Sequence, residues 1–484
     1  MKHKAYLVES IPVGMDDLKV TKGVGYTGAV LKRLTDSAQE SIDLMAMYWT
    51  LRPNPERDDE SGFLVEDLIE KFGAGEGQVL FDALKAAAGR GVRIRIVESP
   101  GFDSSDGESK VLQCAFPGQI EIRRIDMRDW YSSGIMHQKL WVFDGKSVHV
   151  GSANMDWRSL RQVKELGVVV QDHIEIAGEL GRYFDTWWAF GELEPAVRKN
   201  VFDPAAMIER TVPAWSALVR PEQRAANPLD CPKFRTRCSW ENPLPFDVDG
   251  ESAGAFISGA PREVCVGERT FDEDALLKTI LEAKSSVCIS VMDFAPVSLY
   301  RGAYDQDTAK YMVGDEVATP VWWPALFDAV LHVVTTKALH VRMLVSEWVH
   351  SSEFVTPYLQ ALQAAAQAGG AKSSMRTGLL EIRRFRVPGW ESTEKSPDNP
   401  QGQQPRAYPG HTRVNHTKYI VTDKRANIGT SNMTWDYFSN TAGLSFNTDH
   451  RGLVGKLQEV FDRDWNSRYA TPLDVIRVDD ELSN

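Results

Sequence analysis

Short apolar runs alternate with amphipathic segments along the whole chain, and the order of these segments repeats once. In the first part, residues 41–48, 90–97 and 121–125 form apolar or alternating runs of strand length. In the second part, residues 286–293, 340–345 and 381–385 follow in the same order. Such a repeat predicts two copies of one supersecondary unit.

Each copy closes on one more strand and an aromatic helix. Period-2 strands are predicted at 140–143 and 419–422, and helices at 180–188 and 457–465. Strands that alternate with helices predict an α/β fold, in which helices cover a mixed sheet. We expect two similar α/β/α units, residues 1–190 and 270–484, packed about a pseudo-twofold axis.

Between the two units, residues 191–269 are rich in Pro, Asn and Gly, which predicts an irregular connector. A second irregular stretch at 388–409 contains several Pro and Gln residues just upstream of the last strand. We expect this stretch to be a mobile loop.

Composition narrows the class of protein. The 484 residues are 43% hydrophobic and 25% charged, as in ordinary globular proteins, and the net charge of −12 disfavours a general nucleic-acid coat or a polybasic membrane binder. No apolar run reaches the 18 residues of a membrane span, and the N-terminus lacks the apolar core of a signal peptide. The five cysteines are scattered, which favours reduced thiols in a cytoplasmic protein, and pairing of Cys231 with Cys238 stays open.

The candidate chemistry lies in a motif that occurs once in each half. His137-x-Lys139-x4-Asp144 is followed, after six residues, by Gly-Ser-x-Asn154. The second copy has the same parts at equivalent places and consists of His416, Lys418, Asp423 and, after five residues and a Gly-Thr-x, Asn432. A lone His-x-Lys means little, but two matched sets in two matched halves indicate a functional site.

These residue types suit a phosphodiester. Residues i and i+2 of a strand face the same side, so His137 and Lys139 project together, as do their counterparts. If the halves pack about a pseudo-twofold axis, two Lys and two Asn form a cationic, donor-rich cradle. One His can attack phosphorus while the other protonates the leaving oxygen. The scheme requires no metal and no cofactor, and no zinc spacing or Gly-rich phosphate loop is found.

The duplicated motif resembles the signature of the phospholipase D superfamily, and the resemblance spans nearly the whole chain. Finer features resemble one branch, the animal lysosomal 5′-exonucleases and the related poxvirus phospholipase-like proteins; they lie at residues 7–12, 48–50, 151–159, 163–167, 413–416 and 429–432. The resemblance implies a metal-independent phosphodiesterase that works through a covalent phosphohistidine.

The resemblance also implies individual roles. It makes His137 the nucleophile and His416 the general acid and base, with Glu165 holding the far ring nitrogen of His137. The matched position in the second half is predicted to be Thr441, which is not a carboxylate. Asp144 and Asp423 end their strands, and support of the motif and orientation of a histidine both stay open for them.

Three functions compete for this fold. The first is a nuclease acting on single-stranded ends, with aromatic residues that either stack bases or pack in the core: Tyr48, Trp49, Trp130 and Tyr131. The second is a phospholipase that makes transient membrane contact through Trp322, Trp323 and Trp390. For Trp322 and Trp323 we prefer a different role, the start of a helix that packs on the core. The third is a binding protein without activity, which the intact motifs disfavour. The sequence does not separate nucleic acid from phospholipid as the substrate.

Overall fold

The computed structural model describes residues 3–100, 107–195, 198–203, 208–299, 303–305, 310–312, 320–370, 378–390 and 407–474. Most of the predicted loop at 388–409 lies outside these residues. Two large mixed sheets dominate the structure, and the predicted α/β class is confirmed.

The first sheet has eight strands within the described residues. Their spatial order is Gly25–Tyr26, Lys4–Ser10, Glu165–Gln171, Ser147–Gly151, Leu140–Phe143, Ser41–Ala46, Arg93–Glu98 and Ile120–Arg124. The last three run parallel, with Ser41 opposite Arg93 and Ile94 opposite Ile120. Leu140–Phe143 runs antiparallel to its two neighbours and is buried at every position, as expected for a strand covered on both faces.

The second sheet has nine strands in the described part of the chain. Their spatial order is Leu244–Pro245, Gly254–Ala260, Gly443–Thr448, Ala426–Gly429, Lys418–Thr422, Ser286–Val291, His340–Ser346, Leu379–Phe385 and Ala470–Pro472. Seven of these strands repeat the order and directions of seven strands of the first sheet. The predicted repeat is therefore also a structural repeat.

The predicted connector at 191–269 is not irregular throughout, which corrects the expectation. Arg198–Asp203 and Ile208–Pro213 form an antiparallel hairpin. Gly254–Ala260 pairs with Gly443–Thr448 and occupies the place that Lys4–Ser10 has in the first sheet. The second unit therefore begins before residue 270. Its first strand carries four Gly and Ala residues among seven, so the sequence lacks a strand's usual signal.

Helices cover the sheets on both sides. In the first half they are Thr27–Ser37, Val65–Glu70, Gly75–Gly89, Glu108–Ala115, Met127–Tyr131, Trp157–Arg161 and Ile174–Phe190. In the second half they are Asp272–Leu281, Ala325–Thr335, Val355–Gly370, Trp435–Ser439 and Arg451–Trp465. Short 3₁₀ turns lie at Pro221–Gln223 and Arg262–Val264, and two-stranded pairs join Trp49–Thr50 to Met155–Asp156 and Ala303–Asp305 to Lys310–Met312.

The predicted aromatic helices are confirmed within longer ones. Ile174–Phe190 and Arg451–Trp465 bury residues at three- and four-residue spacing, which marks one apolar face. Each begins at a histidine whose ring accepts a hydrogen bond from a first-turn N–H, His173 from Ile176 and His450 from Leu453. The duplication therefore extends to the helix caps.

One core joins the two halves. Leu140, Leu166 and Phe184 of the first half pack in the same cluster as Tyr419 and Phe461 of the second. Separate clusters fill the outer layers of each half. Because the central cluster contains both sheets and both aromatic helices, the two units bury one shared interface.

All five cysteines are free thiols, so Cys231 and Cys238 do not pair. A search of the described residues finds no helix that is both long enough and apolar enough to cross a membrane.

Candidate active site

The two motif histidines meet where the halves pack together. The ring centroids of His137 and His416 lie 6.3 Å apart with their planes at 70°. The main-chain N–H of His137 donates to the carbonyl of Ala442 (3.1 Å), and that of His416 donates to the carbonyl of Lys164 (2.8 Å). Each histidine is thus held by backbone from the opposite half. The side chains are nearly buried, with residue exposures of 4% and 9%.

A buried lysine stands beside each histidine. Lys139 Nζ donates to the carbonyl of His137 and Lys418 Nζ to that of His416, both at 2.8 Å. Burial lowers the pKa of Lys139 well below its usual value, and the charge of Lys418 lowers it further. Burial lowers the pKa of Lys418 to about 7, although Glu165 and Asp293 oppose the shift. Because the charges of Lys139 and Lys418 repel each other, the pair favours an anionic guest whose charge would offset that repulsion.

The motif asparagines complete the cradle. Asn154 Nδ2 donates to the hydroxyl of Tyr48 (3.4 Å). Asn432 Nδ2 donates to Asp293 Oδ2 (3.0 Å) and to the hydroxyl of Tyr437 (3.1 Å). Tyr437 also packs against the ring of His137 at 5.0 Å between ring centroids, so contacts link Asn432 of the second half to the histidine of the first.

Glu165 contacts His416, whereas the resemblance implied a contact with His137. Its carboxylate accepts from Nδ1 of His416 at 2.9–3.0 Å and is fully buried. The expectation that Glu165 holds His137 is wrong. The reason is the crossed packing, since the strand that begins at Glu165 lies against the segment leading into His416.

The matched position in the second half is Gly443, not Thr441. Glu165 and Gly443 each open a strand, and the preceding residues, Lys164 and Ala442, make equivalent bridges to the opposite half. A Cβ atom at Gly443 would clash with Ser431 Oγ. The second half thus has no room for a carboxylate here, and within the described residues Nδ1 of His137 has no hydrogen-bond partner.

Burial dominates the protonation of both rings. It lowers the pKa of His137 well below 6.5, and Lys139 and Lys418 lower it further. It also lowers the pKa of His416, although the Glu165 carboxylate opposes this shift. Glu165 in turn has a lowered pKa, because His416 and Lys418 outweigh its own burial. At neutral pH the site therefore holds neutral imidazoles beside an ionised carboxylate.

The motif aspartates lie away from this chemistry. Asp144 accepts from the main-chain N–H groups of Gln39, Glu40 and Ser41, and Asp423 accepts from those of Lys284 and Ser285. Each aspartate lies seven residues beyond its histidine along a strand, roughly 20 Å at about 3.3 Å per residue. Of the two predicted alternatives, the contacts favour structural support.

Sequence reasoning missed Asp293, which is buried next to Asn432. A signal was available, because Asp293 and Tyr48 end the matched runs 286–293 and 41–48 and so hold the same place in the repeat. Both contact the asparagine of their own half. Within the described residues, no group of three or more His, Cys, Asp or Glu side chains could hold a metal ion.

The predicted aromatic residues divide between core and surface. Trp49, Trp130 and Tyr131 are buried in the core, whereas the hydroxyl of Tyr48 reaches the site. In the second half, Trp323 stacks on Phe438 at the start of helix Ala325–Thr335, as expected, but Trp322 is 55% exposed.

An unpredicted aromatic cluster lies upstream of the second motif. His350 and His411 are exposed and stack with ring centroids 4.7 Å apart, and Trp348 packs on His350 at 4.6 Å. It adjoins the motif through Ser346, the last residue of its strand, whose hydroxyl bonds to the carbonyl of Asn415. Trp348 and His350 follow that strand by two and four residues, outside any strand or helix whose periodicity could mark them.

In comparison with known proteins, both halves match families of PLD-like domains. Residues 31–188 match the family described as "Cardiolipin synthase, PLD-like domain", and residues 231–389 match the family described as "PLD3/4, PLD-like domain". The second match begins before residue 270, in line with the corrected start of that unit.

Curated relatives match nearly the whole chain. The 5′-3′ exonuclease PLD3 of Rattus norvegicus is 32% identical over 98% of this chain and 81% of its own length. Phospholipase D Y of Dictyostelium discoideum is 31% identical over 96% of this chain and 91% of its own. The virion nicking-joining enzyme of Vaccinia virus (strain Western Reserve) is 28% identical over 97% of this chain and 89% of its own.

Among solved structures, the phosphatidylserine synthase of Haemophilus influenzae Rd KW20 shares the fold. It is 10% identical, with a TM-score of 0.50 over 92% of this chain and 85% of its own.

Proposed function

This chain belongs to the phospholipase D superfamily and is a phosphodiester hydrolase, and we propose that it is a nuclease that shortens single-stranded nucleic acid from the 5′ end. The observation that carries the proposal is the match to a 5′-3′ exonuclease along 98% of the chain. The rings of Trp348, His350 and His411 beside the second motif support it, because His350 and His411 are exposed and aromatic rings at a site's rim suit the stacking of unpaired bases.

We propose that His416 is the nucleophile, which reverses the order expected from the sequence. Glu165 accepts a hydrogen bond from Nδ1–H of His416. This contact fixes the tautomer in which Nε2 is unprotonated and carries the lone pair. Nε2 attacks phosphorus, and the bond from phosphorus to the leaving oxygen breaks. The resulting phosphohistidine ring is cationic, and the buried carboxylate beside it stabilises that charge.

His137 then serves as the general acid and base. It gives a proton to the leaving oxygen in the first step. In the second step it takes a proton from water, which attacks phosphorus and releases His416. Lys139 and Lys418, with Asn154 and Asn432, neutralise and orient the phosphoryl oxygens throughout.

A direct test separates the candidate substrates. Purified protein in EDTA is incubated with a 3′-labelled single-stranded oligonucleotide carrying a 5′-hydroxyl, with circular single-stranded DNA, and with phosphatidylcholine vesicles. We expect stepwise shortening of the oligonucleotide from its 5′ end and an intact circle. Release of choline from the vesicles with no shortening would contradict the proposal and favour the phospholipase alternative. Loss of activity in EDTA, restored by magnesium or zinc, would overturn the metal-independent mechanism.

The covalent step is tested by mass spectrometry of enzyme quenched during turnover. We expect a phosphorylated peptide that contains His416 and an unmodified peptide that contains His137. The reverse result would restore the order expected from the sequence, and the two-histidine mechanism would stand.

A further inference from the structure

The two halves also differ at an arginine on the matched strands Ile120–Arg124 and Leu379–Phe385. In the first half, Arg124 Nε donates to Glu98 Oε1 at 2.9 Å. The strand registers place Arg384 of the second half at the same position, opposite Val345 where the first half has Glu98. The duplication thus kept the arginine and lost its carboxylate.

Arg384 is buried and poorly paired. Its residue exposure is 3%, and within the described residues neither Nη1 nor Nη2 has a hydrogen-bond partner. Its one ionic contact is Nε to Glu347 at 3.5 Å, and that carboxylate already binds Arg386 at 2.7–2.8 Å. Two guanidinium groups share one carboxylate, so the cluster keeps a net positive charge.

Such an arrangement destabilises the fold by itself. Burying a guanidinium whose donors are incompletely paired is unfavourable, as for other poorly paired buried charges. Burial accordingly lowers the pKa of Arg384, against the opposing carboxylates of Glu347 and Asp293. A buried donor that the fold leaves unpaired is explained if a ligand pairs with it.

The position of Arg384 connects it to the active site. It lies at the end of its strand, beside Val345 of the parallel strand that precedes the Trp348 cluster. Asp293 interacts electrostatically with both Arg384 and Lys418, and it binds Asn432 directly. One carboxylate is therefore close enough to interact with both the cradle and this second positive group.

We propose that Arg384 binds a second phosphate of the substrate, the one adjacent to the phosphate that is cleaved. The indole Nε1–H of Trp348 is also buried and, within the described residues, has no partner, so it is a second donor for the same guest. Base stacking on the Trp348 cluster would place the intervening nucleoside between the two phosphates.

The inference rests on the proposed nuclease function and sharpens it. A nucleic-acid strand carries a phosphate at every linkage, whereas phosphatidylcholine carries one phosphate in total. A second phosphate subsite therefore selects for a chain of nucleotides over that lipid.

The test compares two substrates in Arg384→Met. One is a single-stranded oligonucleotide, and the other is bis(p-nitrophenyl) phosphate, which has one phosphate. We expect kcat/KM for the oligonucleotide to fall roughly 10- to 100-fold, mainly through KM, as for loss of a charged hydrogen bond. The ratio of the two kcat/KM values should fall at least tenfold. The slope of log KM against log salt should become shallower by about 0.7, as for one lost phosphate contact on a single strand.

A modified substrate identifies the phosphate. A neutral methylphosphonate at the linkage next to the cleaved one should weaken wild-type kcat/KM as much as Arg384→Met does, with no further loss when both changes are combined. Additive losses, or equal losses on both substrates, would overturn the inference. Wild-type hydrolysis of bis(p-nitrophenyl) phosphate without hydrolysis of the oligonucleotide would instead refute the nuclease function itself.

Folding controls keep the test interpretable. Arg124→Met is the matched variant, since its arginine is paired to Glu98, and it should not change the substrate ratio. Arg384→Met should melt at the same temperature as the wild type or higher, because it removes a buried charge whose Nη donors lack partners within the described residues. A clearly lower melting temperature with an unchanged substrate ratio would show that Arg384 has a structural role only.

Discussion

The two halves of the chain carry the same His, Lys and Asn groups and bring their motif histidines together, but in the part of the chain that the structure describes only the second-half motif histidine contacts a carboxylate. Glu165 binds His416 at 2.9–3.0 Å, whereas Gly443 holds the matched place beside His137. The shared groups suit a symmetrical guest, the phosphoryl group. In the proposed mechanism the unshared Glu165 carboxylate makes one histidine the nucleophile and leaves the other as the acid, because phosphoryl transfer needs a nucleophile on one side of phosphorus and an acid on the other.

The largest expected effect tests whether both halves are needed. We expect His137→Ala and His416→Ala each to lower kcat about 10⁴-fold or more, as for members of other catalytic units. With a nitrophenyl ester, whose leaving group needs no proton, the His137 variant should still release a burst of nitrophenol and the His416 variant should not. Stopped-flow absorbance measures the burst. A burst from the His416 variant alone would reverse the comparison between the halves.

The next effect tests the carboxylate that distinguishes them. Glu165→Gln keeps the shape but removes the charge that fixes the tautomer of His416, so phosphohistidine formation should slow roughly 10²- to 10⁴-fold. Rapid-quench measurement of the phosphorylated peptide follows this step. Glu98→Gln is the matched control, because Glu98 is also buried in the first half but pairs with Arg124 outside the cleft. Similar rates of formation in the Glu165 variant and the wild type would remove its positioning role.

The pH dependence tests the half that lacks a carboxylate. Burial and two lysines hold the pKa of His137 below 6.5, and an acid must be protonated before it can act. The active fraction of free enzyme therefore falls as pH rises, and kcat/KM for an oligonucleotide should drop roughly tenfold per pH unit above that pKa. The optimum should lie below pH 6.5. A nitrophenyl ester should show a flatter alkaline limb, and an optimum above pH 7.5 for the oligonucleotide would contradict the assignment.

The smallest effect tests a feature that the halves share. Asp144→Ala and Asp423→Ala each remove an acceptor of main-chain hydrogen bonds at the far end of the motif strand. We expect each to lower the free energy of unfolding by about 1–3 kcal/mol with little change in kcat. The first should cost more, because Asp144 is less exposed than Asp423. Urea denaturation measures the difference, and a large fall in kcat with unchanged stability would place an aspartate in the chemistry.

Much of this architecture follows from local sequence. Apolar periodicity identified the motif strands and the aromatic helices, because burial of one face imposes that period on the residues themselves. Motif duplication led to the prediction of the His, Lys and Asn residues as a site for the same reason, since their types and spacing recur. Gly254–Ala260 escaped detection because its small residues carry little strand preference of their own and gain their place by pairing with Gly443–Thr448.

The pairing of charged groups was decided by tertiary structure. The resemblance to the phospholipase D superfamily indicated that Glu165 is a site residue and implied His137 as its partner. Because the two halves pack about a pseudo-twofold axis, the residue before Glu165 pairs with the residue before His416, the histidine of the other half. Arg384 shows the same limit of sequence reasoning. The residues around it match those around Arg124, and only the strand register reveals that Val345 stands opposite Arg384 where Glu98 stands opposite Arg124. A sequence specifies which groups are present, whereas electrostatics depends on distances between residues far apart in the chain, and those are set by how the two sheets pack.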